Sequence, residues 1–118
     1  MHRFLTVAAL FAVSLAIQAD AFDLTREGQP VAVIVTPDEA TDIEKEAAQL
    51  IHEMIRRVSG ASLAIIAESK VEPEAGPRLV VGHTKLAAQA GIDTDGVRWD
   101  GYRIRRVGDD VFILGRDY

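Results

Sequence analysis

The segment His52-Glu53-Met54-Ile55-Arg56 comes closest to a catalytic metal motif. It differs from the zinc-binding pattern H-E-x-x-H only at its last position, where the motif needs a second imidazole one helical turn away. Arg56 stands there instead, and a guanidinium stays protonated and cannot coordinate zinc. We therefore predict no metal at this segment and interpret His52 and Glu53 as an exposed polar pair.

A second candidate is Asp93-Thr94-Asp95-Gly96, which is similar to the start of an EF-hand calcium loop. Such a loop needs a glycine at its sixth position and a glutamate at its twelfth. Arg98 and Ile104 occupy those positions. We therefore predict an aspartate-capped turn rather than a dedicated metal site. An adventitious calcium ion held with Asp100 is the alternative.

The turn Gly82-His83-Thr84-Lys85 joins a predicted strand to a predicted helix. Backbone N–H groups at such a junction can hold an anion, but the segment lacks the glycine spacing of phosphate-binding and dinucleotide-binding loops. The Thr84 hydroxyl can satisfy one of those N–H groups. We predict an ordinary strand-to-helix turn, with His83 facing an interface.

Trp99 and Tyr102 are large aromatic residues that lie near one another in the chain. Aromatic rings fill cores and domain interfaces, and they also stack on the apolar faces of sugars. Trp99, Tyr102 and His83 are therefore the predicted contacts with a glycan or with a neighbouring domain.

A glycosidase active site needs two carboxylates held about 5–10 Å apart on rigid supports. Two groups of neighbouring carboxylates lie instead in a proline-containing loop and at a predicted hairpin tip, namely Glu68, Glu72, Glu74, Asp109 and Asp110. Neither location offers a fixed site, and the nucleophile elbow G-x-S-x-G does not occur. We predict no catalytic residue, no metal and no cofactor for this chain.

The composition describes one small domain. The chain has 118 residues, no cysteine and a net charge of −5. Such a length fits a single domain, and the lack of cysteine excludes disulfides and thiolate metal sites. The acidic balance argues against a nucleic-acid partner, for which Lys and Arg clustered on one face are expected.

The first 21 residues have the pattern of a signal peptide. A positive start at 1–3 precedes an apolar run at 4–17, and Ala19-Asp20-Ala21 supplies small residues around a cleavage site. The apolar run is shorter than the roughly 20 residues that a membrane-spanning helix needs. We predict no membrane span, export to the periplasm or the extracellular space, and a mature domain of residues 22–118.

The mature chain predicts an α/β fold of the α+β type. Strands are predicted at 31–35, 63–66, 78–82, 101–107 and 111–114, a long helix at 41–59 and a short helix at 85–90 that Thr84 caps. This order favours a mixed sheet with both helices packed on one face and a β-hairpin at the end.

The long helix has the clearest boundaries. Thr41 and Glu44 have the spacing of a capping box, and Gly60 can end the helix. Apolar residues recur at helical spacing and predict one buried face, which comprises Ile43, Ala47, Leu50, Ile51, Met54, Ile55 and Val58.

Four segments of the mature chain resemble the non-catalytic N-terminal domain of α-glucuronidases and the related accessory domain of β-hexosaminidases. They are the β-branched strand at 31–35, the helix segment 46–52 running into Val58-Ser59-Gly60, the strand and turn at 78–84, and the hairpin from Asp100-Gly101-Tyr102-Arg103-Ile104 to Ile113-Leu114-Gly115.

The resemblance implies an α/β module that precedes a catalytic TIM barrel. In that family the barrel carries the acid and base carboxylates, and in the true α-glucuronidases it removes glucuronic acid from xylan-derived oligosaccharides. No catalytic residue of the family falls on a position of this chain. In the family, the segment after the hairpin leads through a helix into the barrel, whereas this chain ends at Tyr118. The resemblance therefore implies an N-terminal fragment or a truncated reading frame, with no activity alone.

These observations favour an exported accessory domain of a carbohydrate-active hydrolase, packed on a catalytic barrel. The first alternative is a stand-alone secreted module that binds an oligosaccharide through Trp99 and Tyr102. The second is a truncated product that does not fold stably, which an exposed apolar face would favour.

Overall fold

The computed structural model describes residues 23–72, 76–98 and 101–116. Two-residue strands β1 (Thr25–Arg26) and β2 (Gln29–Pro30) form a small hairpin of their own. The remaining elements are β3 (Val33–Thr36), α1 (Asp42–Ser59), β4 (Ile65–Ala67), a 3₁₀ turn (Glu68–Lys70), β5 (Arg78–Val81), α2 (Lys85–Gln89), β6 (Tyr102–Val107) and β7 (Asp110–Gly115).

Strands β3 to β7 form one mixed sheet with the order β4-β3-β5-β7-β6. The pairs β4–β3, β3–β5 and β5–β7 are parallel, whereas β6 runs antiparallel to β7. The predicted mixed sheet, the long and short helices and the closing β-hairpin are confirmed.

Helix α1 begins and ends where its sequence predicts. The Thr41 hydroxyl accepts a hydrogen bond from the Glu44 N–H, and the Glu44 carboxylate accepts one from the Thr41 N–H, which completes the capping box. Gly60 adopts a left-handed conformation, with φ of 79°, and its N–H bonds to the Arg56 carbonyl. These caps satisfy backbone groups that a helix leaves unpaired at its ends.

The two helices lie on opposite faces of the sheet, which corrects our expectation that both pack on one face. Alternate side chains of a strand point to opposite faces, and the core divides accordingly. Residues of α1 pack with Ile34 and Leu79, whereas Leu86 and Ala87 of α2 pack with Val80 and Phe112. The sheet is therefore covered on both faces, as in doubly wound α/β folds.

The predicted apolar face of α1 divides into two. Ala47, Ile51 and Ile55 pack against the core, as predicted. The other four residues are exposed, with Ile43 and Leu50 each 61% exposed. We call these four the outer stripe, which comprises Ile43, Leu50, Met54 and Val58. Glu44 and Ala48 are buried in their place because they point at the sheet.

An ion pair fixes the register between the two inner strands β5 and β7. The Arg78 guanidinium donates two hydrogen bonds of 2.7 Å to the two carboxylate oxygens of Asp110, and both side chains are largely buried. The pairing raises the pKa of Arg78 through the hydrogen bond to Asp110. Two-pronged pairs of this kind add geometric specificity as well as energy.

No helix within residues 23–72, 76–98 and 101–116 is long and apolar enough to cross a membrane. The predicted signal peptide at 1–21 lies outside the described residues.

Candidate functional site

The carboxyl ends of the four parallel strands meet at one edge of the sheet, which we call the carboxyl edge. It carries Asp38 after β3, Glu68 after β4, His83 after β5 and Gly115 at the end of β7. The connections that leave β3 and β5 cross opposite faces and lead to opposite sides of the sheet. In open α/β sheets, ligands bind in the crevice at such a switch point.

His83 lines two of the clefts on this edge of the described structure. The first has a volume of about 440 Å³ and lies between the ends of β3 and β5, with Asp38, Glu39 and Lys85 in its wall. The second, of about 430 Å³, lies beside α2 and is lined by Thr84 and Asp93 among others.

His83 and Tyr102, two of the predicted contact residues, both lie beside Gly115 at the end of β7. The His83 Nε2 lies 2.9 Å from the carbonyl oxygen of Gly115, to which only a protonated nitrogen can donate. Tyr102 is the register partner of the same Gly115 across the β6–β7 pair. Its side chain is 68% exposed. Trp99, the third predicted contact, lies outside the described residues.

Glu44 joins the start of α1 to the turn that follows β5. One carboxylate oxygen accepts the Thr41 N–H at 2.9 Å, and the other accepts the His83 N–H at 2.7 Å. The residue is only 6% exposed. Gly82 permits this approach, because its φ is 92° and a β-carbon at that position would overlap the Glu44 carboxylate.

Glu68 and Asp38 also bind backbone groups of neighbouring elements. The Glu68 carboxylate accepts hydrogen bonds from the N–H groups of Lys85 and Leu86 at the start of α2. Asp38 accepts the Ser69 N–H at 3.0 Å, and this bond lowers the pKa of Asp38 below its usual value. Thr84 caps α2 through the Ala87 N–H, as predicted.

These contacts show whether the backbone N–H groups of the 82–85 turn remain available to bind an anion. Its exposed N–H groups are occupied by two carboxylates of the chain itself, Glu44 and Glu68. The turn is therefore an ordinary strand-to-helix junction, as predicted. Of the polar side chains that line the first cleft, Asp38 and Glu68 bind backbone groups and so hold neighbouring elements together.

The loop at 93–96 forms the predicted aspartate-capped turn. Asp93 Oδ1 accepts the Asp95 N–H at 3.0 Å. The Arg103 guanidinium, from β6, donates to the carbonyl oxygens of both residues at 2.9 Å. In the described part of the chain, no three His, Asp or Glu side chains are grouped closely enough to hold a metal ion.

The interpretation of His52 as an exposed residue is wrong. His52 is half-buried, and its Nδ1 lies 2.8 Å from the Leu63 carbonyl, to which it donates. Its neighbour Glu53 binds the Arg56 and Arg57 side chains. Because His52 ties α1 to the segment before β4, its imidazole has a structural role.

The sequence analysis did not predict that Glu44 and Glu68 lie at the carboxyl edge. Glu44 was identified only as a capping residue, and Glu68 only as part of a surface loop. The glycine at position 82 was the available signal, since a glycine directly after a strand often marks a positive φ or the close approach of another group, and the structure shows both.

Comparisons with known proteins add no relative. No family model, curated protein or solved structure matches this chain.

Proposed function

We propose that this chain is a non-catalytic accessory domain of an exported glycoside hydrolase of the α-glucuronidase type, active on xylan-derived polysaccharide. In this proposal the carboxyl edge contacts a catalytic TIM-barrel domain of the parent protein. The proposal rests on the family resemblance of the sequence and on one observation from the structure.

That observation is that the carboxylates and the aromatic residues of the carboxyl edge have different roles. Its carboxylates Glu44 and Glu68 hold backbone N–H groups of neighbouring elements. Beside them, His83 and the exposed ring of Tyr102 flank Gly115. An edge of this kind supplies contact surface with an aromatic anchor, which is typical of interfaces.

The gene sequence beyond codon 118 gives the first test. We expect an in-frame continuation into a strand–helix repeat of barrel length. A stop codon directly after Tyr118 would contradict the proposed parent enzyme. Independently, hydrolysis of aryl-glucuronides by the purified chain, with contamination excluded, would show that the domain is itself catalytic.

Paired variants of the encoded parent protein test the contact surface. Replacing Tyr102 by Ala removes the aromatic anchor and is expected to lower both the melting temperature and kcat/KM. Val107→Ala is the matched control, since Val107 lies at the other end of β6 and is also partly exposed. Equal effects of the two variants would contradict a contact through the carboxyl edge.

A second candidate function is a stand-alone glycan-binding module. The exposed ring of Tyr102 favours it, because aromatic faces stack on sugars. Titration calorimetry with xylan oligosaccharides should then show weak binding that Tyr102→Ala and Trp99→Ala each abolish in protein that remains folded by circular dichroism. Unchanged affinity in both variants would reject this function.

A further inference from the structure

The outer stripe of α1 has the spacing of a helix–helix seam. Ile43, Leu50, Met54 and Val58 follow one another at intervals of seven, four and four residues, so they lie along one side of the helix. Rows of apolar residues at such helical spacing are the surfaces by which two helices pack side by side. Within the described residues, no element covers the stripe, since its four large residues are all more than half exposed.

A row of exposed apolar side chains such as the outer stripe is unusual on a small monomeric domain. Exposed apolar residues that occur singly need no explanation, whereas a contiguous row marks an interaction surface. Here the row runs along most of an 18-residue helix, which is about 27 Å long at 1.5 Å per residue.

Charges beside the stripe indicate which partner fits. Glu46 lies on its solvent side in the first half of α1, and Arg57 lies on the same side in the last turn. Both are exposed. Arg57 Nε already bonds the Glu53 carboxylate of its own helix at 3.1 Å, but a guanidinium carries five N–H donors. A second copy lying antiparallel therefore brings Glu46 of each helix towards the Arg57 of the other, beside its Glu53. A two-fold axis produces this self-complementary arrangement.

We propose that two copies of this chain associate through the outer stripes of their α1 helices, packed antiparallel about a two-fold axis. Leu50 and Met54 form the buried centre, and Ile43 and Val58 lie towards its two ends. The two Glu46–Arg57 pairs lie at its rim and set the antiparallel direction, as charges beside helical seams do elsewhere. The proposal does not depend on the function proposed above.

Sedimentation velocity of the purified chain between about 1 and 500 µM tests the association. We expect the dimer fraction to rise with concentration. Leu50→Glu should weaken dimerisation at least about a hundredfold, because it would bury two unpaired carboxylates in each dimer. Gln49→Glu is the matched control, since it introduces the same charge at the neighbouring exposed position away from the stripe and should leave dimerisation within about threefold.

Charge exchange tests the partner and its direction. Glu46→Arg and Arg57→Glu should each weaken dimerisation about tenfold, because each places like charges at both rims. The double variant, and an equimolar mixture of the two single variants, should recover association because opposite charges meet again. Circular dichroism at the same concentrations confirms that each variant is folded.

Three results would overturn the proposal. The wild-type chain could stay monomeric at the highest concentration, or Leu50→Glu and Gln49→Glu could weaken association equally. Alternatively, the double charge exchange could fail to restore it, which would exclude the antiparallel contact of Glu46 with Arg57.

Discussion

The two sides of α1 are both apolar, but only one of them is buried. Towards the sheet, Ile51 and Ile55 pack against the core that β3 and β5 supply. On the outer stripe, Leu50 and Met54 are as large and as apolar, yet more than half of each is exposed. The comparison teaches that apolar periodicity measures what a helix can bury, whereas its neighbours decide what it does bury.

The sheet side also has a polar connection that the outer stripe lacks. Glu44 reaches from α1 to the His83 N–H, and Gly82 leaves room for it. This contact joins residues 39 positions apart in the chain. This hydrogen bond therefore fixes how α1 is oriented on the sheet. The outer stripe offers a partner only apolar packing and the charges beside it.

The largest expected effect comes from closing the space that Glu44 occupies. Gly82→Ala adds strain at a positive φ and displaces the carboxylate from the His83 N–H, so we expect a loss of about 3 kcal/mol in the free energy of unfolding. Urea denaturation followed by circular dichroism measures it.

Gly91→Ala is the control for Gly82→Ala. Gly91 also has a positive φ, of 73°, but a β-carbon there would meet nothing within 4 Å. We expect this variant to lose only about 1–2 kcal/mol, the cost of a left-handed conformation for an alanine. Equal losses in the two variants would mean that the Glu44 contact contributes nothing to stability.

A smaller effect separates the two sides of the helix at adjacent positions. Ile51→Ala removes a side chain packed on the core and should lower the free energy of unfolding by about 2 kcal/mol. Leu50→Ala removes an exposed side chain of similar size and should change it by less than about 0.5 kcal/mol in dilute, monomeric protein. Thermal and urea unfolding at low concentration measure both, and a reversed order would contradict the assigned orientation of α1.

The smallest expected effect lies on the exposed polar surface of α1. Hydrogen bonds from Arg56, and then from Arg57, lower the pKa of Glu53 from its ordinary value of 4.5 to about 2. A lowered pKa in the folded state stabilises the fold above the unfolded value, and this contribution is lost as the pH falls from about 4.5 towards 2.

Glu53→Gln should therefore unfold with a flatter pH dependence than the wild type in this interval. Because the group is exposed, added salt should reduce the difference between the two proteins. Denaturation midpoints between pH 2 and 6 at low and high salt provide the measurement. Parallel curves at low salt would show that the Glu53 pairs do not contribute.

The elements of the fold follow closely from local sequence signals. Thr41, Glu44 and Gly60 define α1 because caps depend on neighbouring residues. The hairpin β6–β7 follows similarly from its turn at Gly108, whose φ is 60°. The hairpin of β1 and β2 escaped prediction because its strands are only two residues long, although the Glu27-Gly28 turn was the available signal.

Long-range features could not be predicted in the same way. Placement of α1 and α2 on opposite faces depends on which strands become neighbours, and that order is a property of the whole sheet. The same reason explains the carboxyl edge, where Glu44 and Glu68 contact residues far along the chain. His83 and Tyr102 were chosen for their types, but only the β6–β7 register brings both beside Gly115.

The position of β7 has a consequence for the order in which the chain can fold. This strand lies between β5 and β6, yet it is the last in sequence of the strands in the described residues. During synthesis at about 5–20 residues per second, the inner edge of β5 therefore stays unpaired for seconds, and Arg78 lacks Asp110. Completion of the central sheet is thus delayed until residue 115 emerges, and until then one edge of β5 is open to wrong pairing.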